Sequence, residues 1–429
     1  MTLGRMLGLA FSRGMFTTLL VLLAIPHVLS TFEVVTLATS GGFSFESAVR
    51  LTGTSSPLTA VAVNYGAVGL VDLSNGVTTL LAGSQWDYGF QDGPGADARF
   101  GYTAPYPAVV GERIVLADSA NLRIRLVDFT TGDTSTLAGN GDAGVQDGVG
   151  VGVAQFCNPG YAAHVPGTNY VLIADGHRIR KIDAATGDVS TVAGLIPLNC
   201  VDLSTDTASS KSTFGYSIHS LAVGSDGLTA YVANRFAGDI FRVSLATGSI
   251  SRLMQRNQYN SYPSLVVLPT ASDAASRVSR VMVADLNSHF LWTFEEQDGA
   301  STTSCVAAGS IGNLGSSDGK GTAARFNLPE NLALMAGGTT VVVWEPSGKI
   351  RLVDTTMASG LCEACSCVPS CMPPTGVRTA PRTCDAKLSE ALPSMIFAFC
   401  RLISVVCVPE RFRDRTGSFP GKQLLSQPA

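Results

Sequence analysis

RIRKIDAATGDVSTVAG, residues Arg178 to Gly194, decides the fold, because the chain writes it out several more times with small changes. Its ending returns as TLLAG at Thr79 to Gly83, TLAG at Thr136 to Gly139 and VAAG at Val306 to Gly309. The first three endings stand about 55 residues apart and the last follows after about twice that, the self-similarity of a repeat architecture. A missing copy is therefore expected near residue 250, where ATGSISRLMQ (Ala246 to Gln255) stands. Inside the stretch, Ile179 and Ile182 are set among Arg178, Arg180 and Lys181, the two-residue alternation of a half-buried strand. ATGD (Ala185 to Asp188), TTGD (Thr130 to Asp133) and LSNG (Leu73 to Gly76) sit between two strands, where Gly supplies a positive φ. Upstream of each, a strand ends on an acid or amide: Asp118, Asp175, Asn234, Asp285 and Glu345. Each period is thus one four-stranded antiparallel meander, too small to cover its own faces, and such units stacked radially make a β-propeller.

Counting the units gives six. Phe100, Phe156, Phe214 and Phe326 open four of them, Tyr262 opens a looser copy, and Phe45 opens the first, with Leu58 to Asn64 as its second strand. The last set stops at KIRLVD, Lys349 to Asp354, and no TLAG-like strand follows it. One such strand is left over at the other end, EVVTLA at Glu33 to Ala38. It is expected to become the outer strand of the last blade, closing the ring and covering an edge that would otherwise be exposed.

The motifs QDGVGVGVAQFCNPG (Gln146 to Gly160), IADGHRIRKIDAATGDVSTVAG (Ile173 to Gly194) and DGKGTAARFNLPENLAL (Asp318 to Leu334) resemble the NHL-repeat β-propellers over roughly residues 31 to 357. The resemblance implies an all-β, six-bladed propeller of four-stranded blades. It implies less about activity, since that family includes lyases, receptor and adhesion modules, kinase sensors and RNA binders, and fold membership leaves function open.

Around the propeller, residues 1–30 read as a signal peptide: Arg5 and Arg13 are basic and Met15 to Ile25 is apolar. The propeller is placed at 31–360, a Cys-rich segment at 361–389, and an apolar segment with a basic tail at 390–429. The tail segments hold Cys362, Cys365, Cys367, Cys371, Cys384, Cys400 and Cys407 of the chain's ten cysteines, expected as a disulfide-knotted region in an oxidising compartment rather than a zinc site. Leu392 to Val408, apolar except for Arg401 and followed by Arg411, Arg413 and Arg415, reads either as a membrane tether or as a packed amphipathic segment. The net charge of −4 and pI near 5.8 argue against a nucleic-acid partner.

A meander has parity: the turn between its second and third strands and the long connection to the next blade emerge on one face. That face is expected to be acidic and loop-rich, with Asp87, Asp92, Asp97, Asp142, Asp147 and Asp318 in the loops above the strand ends. Asp118, Asp175, Asn234, Asp285 and Glu345 are candidate ligand-binding residues, although an Asp in such a turn also caps its own loop. His164 and His219 follow Tyr161 and Tyr216 at equal spacing on innermost strands and are the candidates for a channel metal, calcium or zinc, which nothing in the sequence requires. His177 and His289 fall on a position of the repeat itself. Cys157 and Cys200, at the starts of neighbouring blades, are expected to pair. The reading is a non-catalytic, secreted or surface-tethered propeller that binds a protein, peptide or glycan on its acidic face. The alternative is a metal-dependent lyase or hydrolase with its site in the central channel.

Overall fold

A computed structural model describes residues 32–37, 47–49, 59–64, 66–102, 106–194, 200, 214, 218–234, 238–254, 264–269, 278–297, 299–335 and 338–355. The chain divides at Val368 into two units. The second unit and the signal segment lie outside the described residues, and with them Leu392 to Val408 and the seven tail cysteines.

Six four-stranded antiparallel blades follow in chain order. Blade 1 holds Ser47–Val49, Thr59–Asn64, Ala67–Asp72 and Thr78–Gly83; blade 2 holds Ala108–Val110, Arg113–Asp118, Arg123–Asp128 and Thr134–Ala138. Blade 3 is Pro159–His164, Tyr170–Asp175, Arg178–Asp183 and Val189–Gly194, and blade 4 is Ile218–Val223, Thr229–Asn234, Ile240–Ser244 and Ile250–Met254. Blade 5 is Leu265–Leu268, Val278–Asp285, Phe290–Gln297 and Ala300–Gly309. Blade 6 takes Asn331–Leu334, Thr340–Trp344 and Ile350–Asp354 from the end of the propeller and Glu33–Leu37 from its beginning. The N-terminal strand runs antiparallel to Ile350–Asp354, with Glu33 opposite Asp354 and Leu37 opposite Ile350. The leftover strand therefore closes the circle, and its outer side pairs again with Gly319–Lys320.

No blade keeps its apolar residues to itself. The six buried clusters each join two neighbouring blades: Val61, Val63 and Phe100 meet Ile114 and Leu116 between blades 1 and 2, and Trp344 and Ile350 meet Ala60, Ala62 and Val71 between blades 6 and 1. Because the last cluster returns to the first blade, every sheet is covered on both faces and the ring has no end. Phe100, Phe156, Phe214 and Phe326, which open four of the repeats, are buried wedges in four of these clusters. The Gly of the turn sequence does more than turn the chain. At Gly187 (φ +78°) a Cβ would collide with the carbonyl oxygen of Leu137 in the preceding blade, so this residue sets how closely two blades approach.

A disulfide joins Cys157, at the start of blade 3, to Cys200, beyond its last strand, with Cα atoms 5.3 Å apart and a sequence separation of 43. Cys305 in blade 5 is also disulfide-bonded. Replacing Cys157 and Cys200 together by Ser is expected to cost about 2–4 kcal/mol of stability, read from urea midpoints, because the unfolded chain regains the entropy of the opened loop. An unchanged midpoint would mean that the bond constrains nothing the ring does not already hold.

Candidate binding face

Asp118, Asp175 and Glu345 are buried, and each is bonded to an arginine of the next strand: Asp118 to Arg125 at 2.9 Å, Asp175 to Arg180 at 3.0 Å, Glu345 to Arg351 at 2.9 Å. The guanidinium has further internal acceptors. Arg180 donates to the carbonyls of Gln155 and Gln146 and to Asp147 at 2.8 Å, while its plane lies 5.0 Å from the centroid of Phe156. Arg125 does the same with Arg99, Gln91, Asp92 and Phe100, and Arg351 with Arg325, Ser317, Asp318 and Phe326. The other oxygen of Asp175 accepts from the amides of Cys157 and Asn158, and an Asp118 oxygen from that of Gly101. A buried ion pair with its remaining lone pairs satisfied is the arrangement that low dielectric tolerates. These carboxylates tie the blade's second and third strands to the incoming loop.

Blades 4 and 5 omit the arginine. Phe241 takes its place in blade 4, edge-on to Phe214 at 5.5 Å, and the acid there becomes Asn234, whose Nδ2 donates to Phe214 O at 2.9 Å. In blade 5 the buried Trp292 stands in the arginine's place, and Asp285 accepts from the amide of Ser288 at 3.0 Å. All five strand-end candidates are therefore buried beneath the loop-rich face and bonded within the protein.

The loop acids are different. Asp92, Asp147 and Asp318 leave about half of their side chains exposed, so each triplet joins two carboxylates to one guanidinium and shows the outer one to solvent. Asp92 and Asp147 also accept from Thr136 and Thr191 of the outer strands, and Asp318 from Thr36 at 2.6 Å. Thr36 lies on the closing strand, which makes Asp318 part of the latch. Burial works to raise the Asp318 pKa, but the Thr36 bonds and Arg351 outweigh it and hold it below the ordinary value. A depressed carboxyl pKa adds stability above the unfolded-state value and loses it as pH falls through the folded one. The urea midpoint of Asp318→Asn is thus expected to lie below wild type at pH 7 and to converge with it below about pH 4. A gap independent of pH would contradict this account of the latch.

The two channel histidines do not converge. Asp175 and Asn234 are equivalent strand ends; His164 pairs with Val171, four residues before Asp175, whereas His219 lies between partners of Asn234 and Ala233. The irregular registers at Pro159/Ala162 and Ile218/Ser220 undo the equal spacing from Tyr161 and Tyr216. His164 is thus about 12 Å further along the strand direction than His219, at about 3.3 Å per residue. His164 borders a cleft of about 330 Å³ on the opposite face, with Val110, Gly111 and Thr168, and its Nε2 is 2.7 Å from Thr168 O. His219 instead lies beside Tyr161 (ring centroids 6.4 Å apart), which is stacked on Tyr106 at 3.7 Å near the loop-side mouth of the channel. Among the described residues no group of three or more His, Cys, Asp or Glu is placed to hold a metal ion. His177 is buried, and the Nδ1 of His289 accepts from the amide of Leu328 at 3.3 Å.

Sequence reasoning passed over a set of exposed aromatics on the connection between blades 1 and 2. Trp86 is 82% exposed, Tyr102 59%, Phe90 46% and Tyr88 37%. Tyr88 and Tyr102 meet edge to face at 5.2 Å, and Phe90 carries the Arg123 guanidinium 4.0 Å above its ring. The usable signal was that SQWDYGF (Ser84 to Phe90), with three aromatics in seven residues, has no counterpart in the other connections.

No helix among the described residues is long and apolar enough to cross a membrane. The fold and this face define the class: a six-bladed β-propeller whose acidic repeat positions are internal and whose loop face carries the exposed aromatics. No protein family's profile matches the chain. It is similar to Protein SUPPRESSOR OF QUENCHING 1, chloroplastic, of Arabidopsis thaliana, at 23% identity over 290 residues, which is 63% of this chain and 27% of that protein. The chain thus spans about a quarter of that relative's length. Among solved structures it resembles an auxiliary nutrient binding protein from Bacteroides ovatus (TM-score 0.52, 13% identity, 76% of each chain). It also matches one of the same description from Bacteroides thetaiotaomicron (TM-score 0.40, 12% identity, 76% of this chain and 90% of that one). At 13% identity the likeness to the Bacteroides ovatus protein is one of fold.

Proposed function

We propose that the protein is a non-catalytic binding propeller of the NHL-repeat type, secreted or held at the cell surface, that takes a protein, peptide or glycan on its loop-rich face. The observation that carries this is the exposure of Trp86, Tyr88, Phe90 and Tyr102 together on that face, since large aromatics are the residues whose burial contributes most at recognition surfaces. Asp118, Asp175, Asn234, Asp285 and Glu345 serve as the frame under the face, and the ligand meets the loops above them. The description of the Bacteroides ovatus protein as nutrient-binding is in keeping with a binding role. The Cys157–Cys200 bond supports an oxidising compartment, in agreement with the signal-like residues 1–30. The separation of His164 and His219 does not support the lyase or hydrolase reading at that pair.

Probing glycan and peptide arrays with the purified full chain and with a Trp86→Ala/Tyr102→Ala variant tests the reading. Ligands retained by the wild type and lost by the variant, with the variant's circular dichroism unchanged, are the expected outcome. Ligands retained equally by both would move the binding surface elsewhere.

A further inference from the structure

Resting on the reading of this face as the binding surface, we propose that its aromatic group takes a cationic polypeptide segment, one presenting arginine or lysine side chains. Two features of the face point to that chemistry. The first is the aromatic platform. Phe90 already holds the guanidinium of Arg123 at 4.0 Å, with that of Arg125 at 5.0 Å, so the local geometry suits a planar cation over a ring. Trp86, more exposed than any of its neighbours, has no such cation over it among the described residues, and its indole is the ring that attracts one most strongly.

The second feature is charge. Each triplet joins two carboxylates to one arginine, and the outer carboxylates, Asp92, Asp147 and Asp318, are about half-exposed on this same face. The repeat therefore leaves a residual negative charge at three places around the ring. At the aromatic group two further carboxylates are exposed, Asp87 between Trp86 and Tyr88 and Asp142 in the next connection, while Gly95–Asp97 lies lower, against Thr131 and Gly132 of the opposite-face turn. The second connection is brought to the patch by Arg123, which donates to Asn140 O at 2.8 Å and packs against Gly141, immediately before Asp142. Arg99 is held by Asp87 at 2.7 Å, and Arg123 is engaged on Phe90. Arg99 and Arg123 are thus already engaged, and Asp87 and Asp142 stand near the exposed rings. Carboxylates flanking an aromatic face complement a cationic side chain and steer its approach, whereas a neutral sugar would draw on the rings alone.

Trp86 also supplies the readout. Of the three tryptophans, Trp292 and Trp344 are buried, so quenching of emission by acrylamide reports mainly on Trp86. The full chain is titrated with a capped tetra-arginine peptide, a capped tetra-glutamate peptide and neutral maltohexaose. Saturable protection by tetra-arginine alone is expected, weakening several-fold when salt is raised from about 50 to about 300 mM, as exposed charge pairs do. Tyr102→Ala should weaken it about two- to fivefold, and Asp142→Asn about two- to fivefold, with unchanged circular dichroism. Protection by maltohexaose and not by tetra-arginine would overturn the cationic proposal while leaving the binding face intact. Tetra-arginine protection that survives the Asp142→Asn change and high salt would overturn the charge complementarity and with it the proposal. If no probe protects Trp86, the proposal falls, and the arrays decide separately whether the face binds at all.

Discussion

Deleting Glu33 to Leu37 is expected to unfold the propeller at room temperature. The strand contributes a five-residue ladder to Ile350–Asp354, the fully buried Val34 and the Thr36–Asp318 bond. Burying one valine is worth about 1.5–3 kcal/mol and each ladder hydrogen bond about 1 kcal/mol net. The total reaches about 5 kcal/mol or more, comparable with the whole stability of an ordinary domain. Loss of the strand also opens a sheet edge, which invites association. Glu33 stands opposite Asp354, so the same strand can be re-supplied just after Thr355 through a short glycine-serine turn, and that rearranged chain should recover the native urea midpoint. A deletion variant as stable as wild type would mean that the strand covers the blade without closing the ring.

Replacing Arg180 by Met carries the second large effect, a loss of about 3–5 kcal/mol, because it strands the buried carboxylate of Asp175 beneath the face. The chain itself holds the remedy. In blade 4 the corresponding residues are Phe241 and Asn234, apolar and amide, and that blade is equally buried. The double variant Arg180→Phe/Asp175→Asn should therefore lose much less than Arg180→Met. Urea midpoints of Arg180→Phe, Asp175→Asn and the double variant form a cycle whose coupling energy reports the pair. Additive losses would contradict the assignment of these acids to the frame.

The same comparison shows how far the sequence could be read. Strand order, blade number and the closing strand were legible because they depend on a hydrophobic period and on the Gly-bearing turns, both of which recur. The acids were legible as a repeated position but not as one half of a pair. Yet acid and arginine recur together within this one chain, Asp118 with Arg125, Asp175 with Arg180 and Glu345 with Arg351, and blade 4 replaces both, by Asn234 and Phe241, while blade 5 keeps Asp285 beside Trp292. That co-variation, visible between repeats, was the signal that the carboxylates face inward.

Other features were hidden for different reasons. The alignment of His164 with His219 failed because the irregular registers at the starts of blades 3 and 4 shift the strand against the residues before it, which spacing alone does not reveal. The aromatic face was missed because it belongs to a single connection. A search for what recurs finds the scaffold, and Trp86, Tyr88, Phe90 and Tyr102 are what does not recur.

Which face meets a ligand can be measured without knowing the ligand. The photo-reactive residue benzoylphenylalanine is placed at Trp86 in one full-length chain and, in another, at Leu228, which is 62% exposed in the turn between the first two strands of blade 4, on the opposite face. Both chains are irradiated in the medium and at the surface of cells that express them. The account predicts a discrete adduct from position 86 and none from position 228. Adducts from position 228 alone, or none from either position, would contradict it.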